Sequence, residues 1–228
     1  MTEKKIEVPY IDQTDRWPTG CESVSAVMLL HFLGISVSVD EFVDGYLPKR
    51  PMERREEGLV GPDPNLFFAG SPYDPDSFGC YPGVLVQALN ALFTERGLPY
   101  LAQDATGTET ERLLREQIDE GMPVLYWTSI DLKPTYRGPE WTLPDGSTFT
   151  WVSNEHCLLL VGYREGEPSL SGDGMPQETG AVRGAADILY CNDPWHNHGC
   201  IAYDRALVEA RHREQGERAV VVRRVAES

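Results

Sequence analysis

No run of apolar residues in this sequence is long enough to span a bilayer, and its start, MTEKKIEVPYIDQ, has no apolar stretch of signal-peptide length. The chain is therefore expected to be soluble and cytoplasmic, without a membrane segment. Positive charge is also short: 20 basic residues stand against 36 acidic ones, a formal net charge of −16. There is no basic stripe with interleaved aromatics, so a nucleic-acid partner is not expected. The acidity favours cationic over anionic ligands but names no substrate. A glycine-rich phosphate loop, internal repeats and a linker-like break in composition are all absent, which makes one domain over residues 1–228 the simplest organisation. Cysteine is too sparse for a disulfide framework. The five residues Cys21, Cys80, Cys157, Cys191 and Cys200 are odd in number and spread over a long chain, so at least one thiol stays free in any monomer.

What is present begins with WPTGCESVSAVMLLHFLG. The spacing of Thr19 and Glu22 predicts a capping box, with Thr19 as N-cap and Cys21 as the second residue of a helix. The helix is apolar nearly all round from Ala26 to Leu33, hence central and buried, and Gly34 is its stop. Ser38 and Glu41 repeat the capping pattern before a short helix that ends at Pro48. Residues 48–80 read as a long irregular excursion. YPGVLVQALNALFTERG is a third helix stopped by Gly97, and TETERLLREQIDEG a fourth, capped by Thr108 with Glu111 and stopped by Gly121.

The texture then turns to strands. PVLYWTSI, HCLLLVGY and DILYC read as buried strands, WTLPDGSTFTWV as a hairpin about Asp145-Gly146, and CIAYD and RAVVVRRV as further strands. Residues 164–186 read as an exposed loop, and RALVEARHREQ as a surface helix. Helices first and strands second is an α+β pattern, with N-terminal helices packed on a C-terminal antiparallel sheet.

A thiol at a helix N-terminus is favoured as thiolate, and a nucleophilic thiol needs a base that a third group orients. Five histidines are available. His31 lies within the buried helix and reads as core; His212 lies on a polar helix and reads as solvated. His156 opens the strand HCLLLVGY, and DILYC ends at Asn192 and Asp193. If those two strands are antiparallel neighbours, the start of one lies beside the end of the other. His156 and Asp193 then meet at one sheet edge, with Nδ1 of His156 expected to face the carboxylate and the Cys21 helix packed against that edge. Gln13, in the loop before the helix, and the Cys21 N–H are candidate donors to an oxyanion.

These residues carry a resemblance. VPYIDQ, GCESVSAVMLLHFLG, DPNLFFAGSPYDPDSFGCYPGV, EHCLLLVGY, CNDPW and RAVVV together resemble the C39-like peptidases, papain-like cysteine peptidases related to bacteriocin leader-processing domains. The resemblance implies a papain-like fold, a peptide or protein substrate, no cofactor, and a reaction that cleaves a peptide or amide bond through a Cys21 thioester. It implies Cys21 as nucleophile, His156 as base, Asp193 as its orienter and Gln13 as oxyanion donor. Two other functions fit the same residues: a thiol acyltransferase on the same machinery, and a binding module without turnover, against which four intact residues argue. Cys191, His196, His198 and Cys200 could ligate zinc, but they lack paired Cys-x-x-Cys knuckles, so no metal ligand is assigned. Cys157 should point to the opposite strand face from His156 and be a core residue, as should Cys80. The 48–80 and 131–150 segments are expected to shape the substrate cleft.

Overall fold

The computed structural model describes residues 2–166 and 187–225, so most of the loop expected over 164–186 lies outside the described residues. In chain order, strand β1 (Thr2–Lys5) is followed by helices α1 (Cys21–Phe32) and α2 (Val39–Gly45). The excursion holds four short strands, β2 (Lys49–Arg50), β3 (Glu53–Arg55), β4 (Gly58–Val60) and β5 (Phe68–Ala69). Then come α3 (Pro82–Glu95), β6 (Tyr100–Asp104), α4 (Thr110–Leu113), β7 (Val124–Ser129), β8 (Tyr136–Thr142), β9 (Thr148–Ser153), β10 (Glu155–Glu165), β11 (Ile188–Asp193), β12 (Gly199–Asp204), α5 (Arg205–Glu214) and β13 (Ala219–Arg224).

The architecture is the expected α+β. Among the described residues a seven-stranded sheet runs β12-β11-β10-β7-β13-β6, every pair antiparallel. β10 is its spine. β11 follows one edge, while β7 pairs with the other from Glu155 to Leu160 and β1 extends that edge from Gly162 to Glu165. β10 and β7 are buried along almost their whole length, as continuous apolar runs in a covered sheet must be. Helix α1 lies against β10, and its first ten residues are all buried. A second, smaller core of Ala69, Tyr81, Trp141 and Trp151 sits under the β8–β9 hairpin, which joins β3 and β4 in a four-stranded sheet.

Gly34 and Gly97, both with positive φ, end α1 and α3 as their sequence positions predict. Ser38 caps α2, accepting from the Glu41 N–H at 3.0 Å. The first capping box does not form. Cys21 is the first residue of α1, the N-cap is Gly20, and the Thr19 hydroxyl donates instead to the carbonyls of Ser71 and Asp74. Glu22 is drawn into the interior, where its carboxylate finds partners that a surface capping box could not offer. Thr108 likewise caps nothing: α4 starts at Thr110, whose hydroxyl is 2.6 Å from that of Tyr126, and it runs into one π turn over Leu114–Ile118. His31 is half-buried at the end of α1, bonded to the Val37 carbonyl, and is not a core residue.

His212 is the larger correction. It is buried, its ring is stacked on Tyr126 at 3.7 Å, and Nδ1 donates to the Trp127 carbonyl at 2.7 Å. Nε2 is buried without a partner. Burial, with Arg213 and Arg218 adding repulsion, pushes its pKa down to about 4. The polar residues around it on α5 misled the pattern, because the helix turns this one face onto β7.

The sign of the linkage follows directly. Between pH 6.5 and about 4 the unfolded chain binds a proton at His212 that the folded chain refuses, so stability falls as pH falls through that window. The full contribution is about 3 kcal/mol. Urea midpoints of the native protein and of His212→Gln, measured from pH 7 to pH 4.5, should converge on the acid side. Parallel curves would mean that His212 does not fold as a neutral imidazole.

Candidate active site

The register of two strands assembles one half of the site. Leu159 faces Asn192 across β10–β11, so Asp193 stands opposite residue 158 and His156 is its diagonal neighbour on the same face. Nε2 of His156 lies 2.8 Å from Asp193 Oδ1, and both side chains are almost wholly buried. The nitrogen facing the carboxylate is therefore Nε2, not the expected Nδ1; Nδ1 is left for another partner.

Asp193 is saturated. Oδ1 also accepts from the Trp195 N–H at 3.0 Å, and Oδ2 accepts from the Tyr203 hydroxyl at 2.6 Å and sits 3.2 Å from His198 Nδ1. Burial alone would raise its pKa. The His156 charge and the hydrogen bonds of His156, His198 and Tyr203 outweigh it and hold the carboxyl well below the usual carboxylate range. Tyr10 donates to the Asp193 carbonyl, Gln13 N–H to that of Pro194, and His196 N–H to the Thr14 hydroxyl. These bonds pin the 10–14 loop on the turn after β11, which brings Gln13 to the cleft. The Gln13 Nε2 donates to the Pro18 carbonyl at 3.3 Å, and its Oε1 is buried without a partner.

Cys21 forms the other half, and its surroundings differ from those expected. It opens α1 and borders a cleft of about 240 Å³ together with Gln13, His156, Glu155, Phe78, Ile130, Trp151 and Trp195. Its sulfur accepts from the Cys157 N–H at 3.4 Å and donates to Glu22 Oε2 at 3.3 Å. No hydrogen bond of the described residues joins it to His156. Burial first, and then the charges of Glu22 and Glu155, raise the thiol well above its ordinary value, overriding the helix terminus that favours thiolate. The two glutamates are themselves raised by burial. Glu22 Oε1 accepts from the Cys80 N–H at 2.6 Å, tying the start of α1 to the 77–81 segment. Gly79 makes room for this pair: a Cβ there would lie 2.5 Å from Glu22 Oε1 and 3.2 Å from Glu155 Oε2.

All four residues singled out in the sequence thus line or support one cleft. Sequence reasoning missed Glu22, Glu155, Tyr203 and Tyr10. Glu22 was assigned to a cap, and nothing in the local pattern separates an inward Glu at a helix start from an outward one. Cys191, His196, His198 and Cys200 do not gather as a zinc site: Cys191 is buried, Cys200 exposed, and His198 is engaged by Asp193. Among the described residues, the cluster with metal-ligand spacing is Cys21, Glu22 and Glu155. Cys80 and Cys157 are core residues, as expected. A larger groove of about 560 Å³ near Arg50 and Leu143 contains no thiol, histidine or tyrosine, so chemistry rather than size selects the Cys21 cleft.

The sequence model of the Peptidase_C39 like family matches residues 5–220. Among solved structures, a candidate C39-like peptidase from Bacillus anthracis is 24% identical, with a TM-score of 0.76 over 99% of this chain and 100% of that one. A double glycine motif protease from an AMS/PCAT transporter, solved with its leader peptide, is 14% identical with a TM-score of 0.46 over the same shares. No curated protein shows significant similarity. No helix of the described residues is long and apolar enough to cross a membrane.

Cys80, Cys157 and Cys191 are fully buried, Cys21 borders the cleft and Cys200 is exposed. Iodoacetamide should therefore label only Cys200 and Cys21 in the native protein. The other three should react only once the chain unfolds. Peptide mapping by mass spectrometry reads this pattern, and early labelling of Cys80 or Cys157 would contradict the packing.

Proposed function

The chain belongs to the C39-like peptidase family, and from that premise we propose that it cleaves peptide bonds through an acyl-thioester on Cys21. The observation that carries the reading is the buried His156–Asp193 pair facing a cleft that also holds a thiol at a helix start. A base oriented by a carboxylate and set beside a nucleophile is the requirement for covalent acyl transfer.

The steps follow from the residues. With Nε2 committed to Asp193, Nδ1 of His156 takes the Cys21 proton after the thiol rotates away from Glu22. The thiolate attacks the carbonyl carbon of the scissile bond. The oxyanion receives hydrogen bonds from the Cys21 N–H, one of the unpaired donors of the first helical turn, and from Gln13 Nε2, whose bond to Pro18 occupies only one of its two hydrogens. The imidazolium, stabilised by Asp193, returns its proton to the leaving amine, and water then hydrolyses the thioester. Phe78, Ile130, Trp151 and Trp195 on the cleft wall suit a substrate with an apolar side chain beside the scissile bond.

The Gln13 donor does its work in the transition state. Gln13→Ala should lower peptide turnover by about a hundredfold, roughly 3 kcal/mol, with little change in substrate binding. Alkylation of Cys21 should survive, since displacement of iodide builds no oxyanion. Cys21→Ala should abolish turnover. Full turnover by Gln13→Ala, in protein with an unchanged melt, would move the oxyanion site elsewhere; turnover by Cys21→Ala would end the reading of Cys21 as the nucleophile.

A further inference from the structure

We propose that Cys21, Glu22 and Glu155 form a binding site for a thiophilic divalent cation, of which Zn2+ is the type, and that its occupancy masks the Cys21 sulfur. The sulfur and one carboxylate oxygen of each glutamate lie within 4.8 Å of one another. Cys21 Sγ and Glu22 Oε2 are 3.3 Å apart. Tetrahedral Zn2+ with M–S near 2.3 Å and M–O of about 2.0–2.2 Å sets such donors roughly 3.5 Å apart, so that pair is already at ligating separation. The site is inside the protein, with exposures of 6%, 0% and 7% for the three residues.

A second observation points to a missing cation. Glu155 Oε1 is buried and has no hydrogen-bond partner. Among the described residues no ion pair reaches Glu22 or Glu155. Arg218 lies over the Tyr81 ring, its guanidinium 3.6 Å from the centroid, and acts on Glu155 through its charge without forming an ion pair. Two carboxyl groups out of water beside a thiol need positive charge, supplied by protons or by an ion. Cys21 and Glu155 border the cleft, so an ion can enter from solvent and keep one coordination position toward it.

The chemistry balances without redox change. The cation takes the thiolate and the two carboxylates as ligands, and the thiol proton, with any proton on the carboxyl pair, leaves to solvent. Coordination draws charge from the sulfur and holds it toward the glutamates, away from His156, so occupancy slows its attack on a carbonyl carbon and a chelator restores it. The masking rests on Cys21 being the nucleophile; the binding does not. The rival site for the same ion is the Cys21–His156 pair, and the acids are favoured because the thiol already faces Glu22.

The test is a Co2+ titration of the full chain, stripped with chelator and kept reduced by a phosphine. Binding should raise a near-ultraviolet thiolate-to-cobalt charge-transfer band that saturates at a single ion per chain, and Zn2+ should abolish it. Cys21→Ala should lose the band. Glu22→Gln and Glu155→Gln, each checked by near-ultraviolet circular dichroism, should each weaken Co2+ by at least about tenfold. His156→Ala should leave the affinity within about twofold. Loss of the band in His156→Ala with no effect of either glutamine variant would put the ion on the thiol–imidazole pair and overturn the assignment. No band with native protein at millimolar Co2+ would do the same. The absorbance reads binding without turnover, so a Cys21→Ala variant that still cleaves peptide would remove the masking and leave the site standing.

Discussion

Asp193 is a carboxylate taken almost entirely out of water, and the cleft is organised around keeping it charged there. Desolvating such a group costs several kcal/mol, and only short, charge-assisted hydrogen bonds offset that. The donors come from separate parts of the chain: His156 on β10, the Trp195 backbone, His198 in the following turn and Tyr203 on β12. Satisfying one carboxylate therefore fixes the imidazole, the turn after β11 and the edge strand together. The loop of Tyr10 and Gln13 is locked to the same turn through backbone carbonyls. A change at Asp193 would loosen every one of these segments.

The thiol half is held by opposite electrostatics. Asp193 is held charged by the donors around it, while Cys21 is set against carboxyls that disfavour its anionic form. The sulfur hydrogen-bonds to Glu22 rather than to the imidazole. Cys21 is thus held as a neutral thiol bonded to Glu22, in the same cleft as an imidazole that Asp193 already orients. A lone thiolate at a helix terminus would be exposed to oxidation and alkylation. The protonated form reacts more slowly.

The fold was legible where physics is periodic and local. The continuous apolar runs of β7 and β10, the Asp145-Gly146 hairpin, the Ser38 cap and the glycine stops all rest on short-range rules that the tertiary structure did not override. The pairing of His156 with Asp193 followed from supposing two strands antiparallel, because register converts sequence position into contact. Long-range competition was not legible. Thr19 and Thr108 had capping spacing, yet the 71–74 turn took the Thr19 hydroxyl and α4 started two residues later, at Thr110, whose hydroxyl meets Tyr126. His212 stands among charged residues, yet one face of α5 meets the buried sheet. Glu22 was the costliest omission: its neighbour in the site, Glu155, is 133 positions away, and no window of sequence holds both.

The cleft wall shows how an irregular segment becomes rigid enough to shape a site. Phe78 faces the cleft from the excursion over 48–80, which a pattern reading describes only as irregular, and Trp151 from strand β9. Behind them Tyr81 stacks on Trp151 with ring centroids 5.3 Å apart, and Arg218 covers the other side of Tyr81. The indole of Trp141 donates to the Pro62 carbonyl at 2.9 Å and that of Trp127 to Cys80 at 3.1 Å. Large aromatic rings lose few rotamers on burial and bring much apolar area, so a small number of them stabilises a long loop. The same Cys80 peptide gives its N–H to Glu22. The aromatic wall and the first turn of α1 are therefore one connected unit, and a substrate side chain that presses on Phe78 or Trp151 presses on the residue that holds the thiol.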